Sequence, residues 1–206
     1  MVPSTPAVAS AVASIDPDAG GAAFANADAP PELHPFRREE WEVAIGKWTF
    51  DDASGEVESD GKSMSSLMYF KGFRARDFEL AVDVKFLKNE SSAGILFREV
   101  GLDFYEDATF YQFEQYTRGS HHDRRLSLMY KSPYWIQIVE PKYPVAPYDV
   151  WQRFRVRAEG DHLECFLDGE RVFDKHDSTL MRGGRVGLHV FQPRSVRFRD
   201  FSVHPL

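Results

Sequence analysis

The chain of 206 residues has a single cysteine, Cys165, which excludes an internal disulfide framework and any cysteine-based zinc site. Cys165 falls in phase with Leu163 and Leu167, so a buried, inert thiol is expected. No apolar run is long enough to cross a bilayer as a helix, and no membrane partner is expected. Helix signals are missing as well: no stretch of any length combines caps with a 3.6-residue period. Positive charge is in short supply, with 25 Lys and Arg against 32 Asp and Glu, a net charge of −7 that argues against nucleic acid. Residues 1–36 hold no Lys or Arg but include Asp16, Asp18, Asp28 and Glu32. Without them the balance is only −3, so no steering field follows from the total. There is no tandem repeat.

Residues 1–36 are rich in Ala, Pro, Ser, Asp and Gly and offer little to bury; they read as a disordered tail before one domain at 37–206. The opening MVPSTPAVASAVAS lacks the basic start and longer apolar core of a secretory signal, which favours a cytoplasmic over a secreted location. Aromatics are abundant, with 17 Phe, 8 Tyr and 4 Trp, as suits a β-rich core.

Period-two alternation dominates the remainder. Phe78, Leu80, Val82, Val84 and Phe86 alternate with Glu79, Ala81, Asp83 and Lys85. Phe154, Val156 and Ala158 alternate with arginines; Leu163, Cys165 and Leu167 follow after Gly160-Asp161, and Asp168-Gly169 turns the chain. Val186, Leu188 and Val190 form the next run, and Val196–Val203 the last. Further strands are expected within 41–50, at 65–70, 93–98, 108–116 and 125–130, with a short one at 135–139 inside a Pro- and Tyr-rich loop. Residues 51–62 read as loop. The expected fold class is all-β, an antiparallel two-sheet β-sandwich of jelly-roll type.

The segments Asp77–Lys85, Ser92–Arg98, Tyr111–Glu114, Trp151–Arg157, Phe166–Glu170, Gly184–Leu188 and Val196–Asp200 together resemble the concanavalin A-like lectin/glucanase superfamily. Within it they are most similar to the 3-keto-disaccharide hydrolase-like domain family, with laminin-G-like domains more distant. The resemblance covers about residues 41–206 and implies an oligosaccharide or glycoconjugate partner. Most of the matching residues pack the sandwich or make its turns, so the motifs speak for the fold more than for an activity.

Retaining glucanases carry paired carboxylates on one strand face in an E-x-D-x-E or E-x-D-x-x-E pattern, and this chain has neither. Glu79 and Asp83 share a face but stand roughly 13 Å apart at the usual strand rise, too far for that chemistry. Arg98 ends its strand opposite in phase to Phe97, where a guanidinium could bind sugar hydroxyls or pair with Glu114 or Asp83. Gln112 and Glu114 share a face with Phe110 and Tyr116, while Tyr111 and Phe113 point inward. A carboxyl framed by rings suits a sugar site, and Glu114 is the acid/base candidate. His189 is a second catalytic candidate, because its strand resembles one that crosses the family's cleft. Tyr130, Tyr134, Trp135 and Arg155 complete the proposed ligand-binding set. Asp200 is the candidate oxygen ligand for a structural calcium, by analogy with calcium-bearing jelly rolls, and no other cofactor is expected. His121-His122-Asp123 reads as a solvated turn. Two functional readings stay open: an open cleft on one sheet that binds a glycan and hydrolyses it, or a non-catalytic lectin-like or laminin-G-like module.

Overall fold

The computed structural model describes residues 33–87, 92–101, 107–117, 124–132, 134–139, 148–191 and 195–206. Its strands are β1 (Leu33–His34), β2 (Trp41–Ile45), β3 (Trp48–Asp51), β4 (Glu56–Ser59), β5 (Ser65–Ala75), β6 (Phe78–Phe86), β7 (Ser92–Val100) and β8 (Thr109–Thr117). They continue as β9 (Arg124–Lys131), β10 (Trp135–Val139), β11 (Trp151–Glu159), β12 (His162–Leu167), β13 (Glu170–His176), β14 (Gly184–Phe191) and β15 (Val196–Pro205). One sheet runs β13-β12-β11-β6-β15-β4-β3 with β1 added beside β15; the other runs β10-β9-β8-β7-β14-β5-β2. Every pairing is antiparallel, so the two-sheet sandwich expected from the alternation is the fold.

The core lies between the sheets because each strand turns one apolar face inward. Val82, Val84, Phe154, Val156 and Phe198 come from the first sheet; Met68, Ile95, Phe97, Phe113 and Leu188 come from the second. Cys165 is buried among them, and burial pushes its thiol well up. The domain begins earlier than composition implied. Leu33–His34 pair with Ser202 and Phe201, and Phe36 is fully buried with its ring stacked on Trp41. The boundary therefore falls before residue 33, not after 36; the rest of the expected tail lies outside the described residues. Two strands were also hidden in the sequence. β4 occupies part of the expected 51–62 loop, and β13, with the sequence ERVFDKH, shows no clean alternation.

The segment around Trp41–Phe50 splits at Gly46, whose φ of 75° lets the chain leave one sheet for the other. A more consequential irregularity lies in β7. Phe97 pairs with Tyr111 and Val100 with Thr109, so β7 spends three steps where β8 spends two. The extra residue is Arg98, in a left-handed conformation with φ 53°. It sends the Arg98 side chain to the turns at the rim of the sandwich instead of the outer sheet face. There it donates to three carbonyls: Arg76 (2.8 Å), Leu180 (3.1 Å) and Gly160 (2.6 Å). Asp77 supplies the counter-charge at 3.7 Å. The guanidinium is fully shielded and ties together turns from both sheets.

Arg98→Met should therefore leave three carbonyls without donors and cost about 3–5 kcal/mol in urea unfolding. Arg98→Lys should recover only part of that, because one ammonium cannot match a planar fork spread over three turns.

Candidate functional site

The outer face of the second sheet is itself a packed surface. The alternation that buries Met68, Ile95, Phe113 and Leu128 in the core sends Leu67, Gly94, Glu114 and Ser127 to the other side. The register aligns Ile45, Leu67, His189, Gly94, Glu114 and Ser127 in one row across β2, β5, β14, β7, β8 and β9. The neighbouring row holds Tyr69, Gly187, Leu96, Gln112 and Met129. Leu67, Tyr69, Leu96, Ala108 and Phe110 make a second apolar cluster around these polar groups.

Gly94 governs the row. A Cβ there would sit 2.0 Å from the Phe113 carbonyl oxygen and 2.6 Å from Glu114 Cα, so only glycine lets β8 lie this close. Glu114 and His189 flank Gly94 in this row, with Cα atoms about 10 Å apart by two strand spacings.

Glu114 is 7% exposed and accepts hydrogen bonds from the Ser92 hydroxyl and the Gln112 amide. Burial pushes its pKa from 4.5 up to about 7, because the two donors only partly offset the loss of solvent. His189 is 3% exposed, with Nε2 2.7 Å from the Ser65 hydroxyl. Burial lowers its pKa to about 4, so the ring is neutral at ordinary pH. Gln112 Oε1 and the Ser127 hydroxyl are buried beside Glu114 without hydrogen-bond partners. The arrangement is a carboxyl poised to exchange a proton near neutrality, a neutral imidazole two strands away on the same row, and two unspent polar atoms.

The structure brings part of the sequence-predicted set onto one face. Glu114, Gln112 and His189 share one face, with Phe110 beside them. Trp135 stands at the β10 edge, 47% exposed, with its ring edge-on to Phe110 at 5.2 Å. Tyr134 precedes it and is 78% exposed. The other placements need correction. Arg98 is the rim staple described above, because the β7 bulge reverses its phase. Tyr130 packs against the core and meets Tyr111 edge-on at 6.3 Å, since it shares the phase of Leu126 and Leu128. Arg155 lies on the opposite sheet, paired with Glu79 at 3.0 Å and stacked 3.6 Å over Phe166. Asp200 is a bulge residue (φ 50°) whose carboxylate faces Arg199 at 3.4 Å and whose carbonyl accepts from Arg153. Among the described residues its contacts are with these two guanidinium groups. The expected open cleft is also not open at its centre, where Glu114, Gln112 and His189 are all buried. His121-His122-Asp123 and Tyr143 lie outside the described residues.

Sequence reading missed Ser92, Ser127 and Ser65, which carry no pattern of their own. It also missed Gly94 and Gly187, although a glycine inside a strand is a signal of close approach. Among the described residues, the ligand atoms of His162, Glu164 and Asp174 lie within 4.8 Å of one another. Arg171 already bridges the two acids, at 2.9 and 2.8 Å.

A family model described as a 3-keto-alpha-glucoside-1,2-lyase-like domain matches residues 37–204. Among solved structures, carbohydrate binding module CBM66 from Bacillus subtilis is similar at 20% identity and TM-score 0.63, over 80% of this chain and 95% of that one. The Bacillus licheniformis beta-glucanase matches at 8% identity and TM-score 0.61, over 87% and 99%. The kappa-carrageenase from Pseudoalteromonas carrageenovora, solved with an oligotetrasaccharide, matches at 11% and 0.58, over 84% and 90%. At these identities the structures speak for the fold alone. No curated protein matches the chain.

The two buried groups make opposite pH-linked contributions to stability. Glu114 binds its proton more tightly when folded, so its contribution is greatest below pH 4.5 and is lost as pH rises to about 7. His189 binds its proton less tightly when folded, so its contribution is present above pH 6.5 and is lost as pH falls through about 4. Glu114→Gln should therefore expose a stability that rises from pH 4 to 6.5, and His189→Gln one that falls from pH 4.5 to 7. Denaturant midpoints measured across that range check both slopes.

Proposed function

The chain belongs to the 3-keto-alpha-glucoside-1,2-lyase-like domain family, and from that premise we propose that it binds an oligosaccharide on the outer face of the second sheet and cleaves a 3-keto-glucoside there with Glu114 as general base. The observation that carries this reading is the buried Glu114 carboxyl, with a pKa of about 7 and no counter-charge among the described residues, facing neutral His189 across Gly94. A ketone at C3 of a sugar acidifies the hydrogen on C2. A carboxylate removes that proton, the electron pair forms the C1–C2 double bond, the C1–O bond breaks, and the leaving oxygen takes up a proton. About half of a carboxyl with this pKa is ionised at neutrality, the balance that lets one group accept and return a proton. The Ser65–His189 pair supplies neutral hydrogen-bonding groups on the far side of Gly94. The exposed Trp135 ring offers a stacking surface at the edge of the same face.

The structural neighbours support a sugar as partner, since one is named as a carbohydrate binding module and another was solved with an oligosaccharide. A second reading, a non-catalytic lectin-like module, is favoured by one fact. The Glu114 carboxylate is already engaged by Ser92 and Gln112 and is nearly shielded from solvent.

The test is to incubate the protein with a methyl 3-keto-α-glucoside and with ordinary methyl α-glucoside, following the enone by ultraviolet absorbance and the freed alcohol by chromatography. Glu114→Gln should lower kcat/KM on the keto sugar by roughly 10²–10⁴-fold. The wild-type rate should fall as pH drops below about 7, following ionisation of one carboxyl. Sugar binding without release would leave the lectin-like reading standing, and absence of binding to any sugar would sink both.

A further inference from the structure

At one end of the same outer face, β5 departs from its partner. Tyr69 pairs with Gly187 and Arg74 with Arg185, so β5 advances five residues while β14 advances two. The residues between splay from the sheet and open a hollow of about 260 Å³, whose lining includes Glu42, Tyr69, Lys71, Arg74 and Arg185. Three of those five side chains are cations and one is an acid. Phe70 and Phe73 add apolar wall.

We propose that this hollow is a subsite for an anionic substituent, a carboxylate or a sulfate, on a sugar unit remote from Glu114. Arg185 is held for the task. Its Nε and Nη2 donate to the two oxygens of Glu99, at 2.6 and 3.0 Å, and Glu99 is fully buried. Its guanidinium lies 3.8 Å above the Tyr69 ring, and the buried Tyr69 hydroxyl lies beside the same Glu99. Two of the three nitrogens are thus spent on fixing the plane. Nη1 makes no hydrogen bond among the described residues; it is ion-paired with Glu42 Oε1 at 3.5 Å, on a side chain 54% exposed. A fixed planar fork whose remaining edge meets one exposed acid suits an oxyanion that displaces it, because little rotamer freedom is lost on binding. Arg74, exposed on the rim, has no acidic partner among the described residues, and Lys71 is anchored to the Glu39 carbonyl at 2.9 Å.

The row Tyr69–Gly187–Leu96–Gln112 joins the hollow to the Glu114 row, across three strand spacings of about 14 Å in all. Gly187 keeps that path low, since a Cβ there would sit 2.9 Å from the Tyr69 ring. A single sugar cannot span this distance, whereas an oligosaccharide can. The placement on one ligand rests on the sugar-binding reading above; the anion site itself does not.

The full chain, labelled with ¹⁵N, is titrated with methyl glucuronide, methyl glucoside 6-sulfate and neutral methyl glucoside. The same titrations are run on Glu114→Gln and on a Lys71→Gln/Arg74→Gln double variant, whose changes are both on exposed side chains. The anionic sugars should shift the Arg185 Nε and Tyr69 amide signals in wild type and in Glu114→Gln alike, more weakly as salt rises, and the neutral sugar should not. The double variant should bind them about tenfold more weakly, and Glu42→Gln more tightly. The two anionic arms identify whether carboxylate or sulfate is preferred. Absence of shifts at Arg185, or affinity unchanged in the double variant, overturns the subsite. Failure of the Glu114 reading instead shows as anion binding intact with no keto-sugar cleavage.

Discussion

One extra residue in β7 sets the direction of two adjacent buried charges. Under strict alternation Arg98 would follow Leu96 and stand on the outer face, and Glu99 would follow Phe97 into the core, a placement no apolar interior accepts. The left-handed step at Arg98 (φ 53°) exchanges the two. Arg98 then reaches the rim carbonyls, and Glu99 emerges on the outer face to hold Arg185. A left-handed non-glycine residue costs about 1–3 kcal/mol, which the charge-assisted hydrogen bonds on both sides offset. Gly184 lies against the same bulge, where a Cβ would come within 2.4 Å of the Arg98 carbonyl carbon. The rim of the sandwich and the cationic end of its outer face share this one backbone feature.

The regular parts of the fold were legible because a period of two maps directly onto core and surface. β6 and β10 have the bounds that alternation and turn residues imply, and the Asp168-Gly169 hairpin has positive φ at both positions, as a tight two-residue turn requires. Bulges were not legible. Arg98 and Asp200 adopt left-handed backbone without being glycine, so nothing in the local composition marks the change of phase. β4 and β13 escaped notice for a different reason. Each buries few apolar side chains and is held by its partners, so the residues that define it are in β3, β12 and β15.

The site divides along the same line. Gln112, Glu114 and His189 sit in uninterrupted stretches, and phase alone placed them on one face. Arg98 failed at a bulge. Arg155 failed because phase cannot say which sheet a strand joins. Tyr130 was readable in principle, since Leu126 and Leu128 mark its side of β9 as the core side. The serines that engage Glu114 and His189 come from β7 and β5, far away in sequence, and only strand order brings them in.

What separates Glu114 from Arg98 and Glu99 is that, among the described residues, no counter-charge faces its carboxyl. Arg98 has Asp77, and Glu99 has Arg185; both are ion pairs whose partners explain their burial. For Glu114 and His189 the dominant cause of the shifted pKa is burial itself, opposed at Glu114 only by neutral donors. A fold seeking stability alone would gain by replacing either group with an apolar one, as it has done at Leu67 and Leu96 on the same face. Two groups that weaken the fold in opposite pH ranges, set on one row on either side of a glycine, are better explained by what they do than by what they hold together.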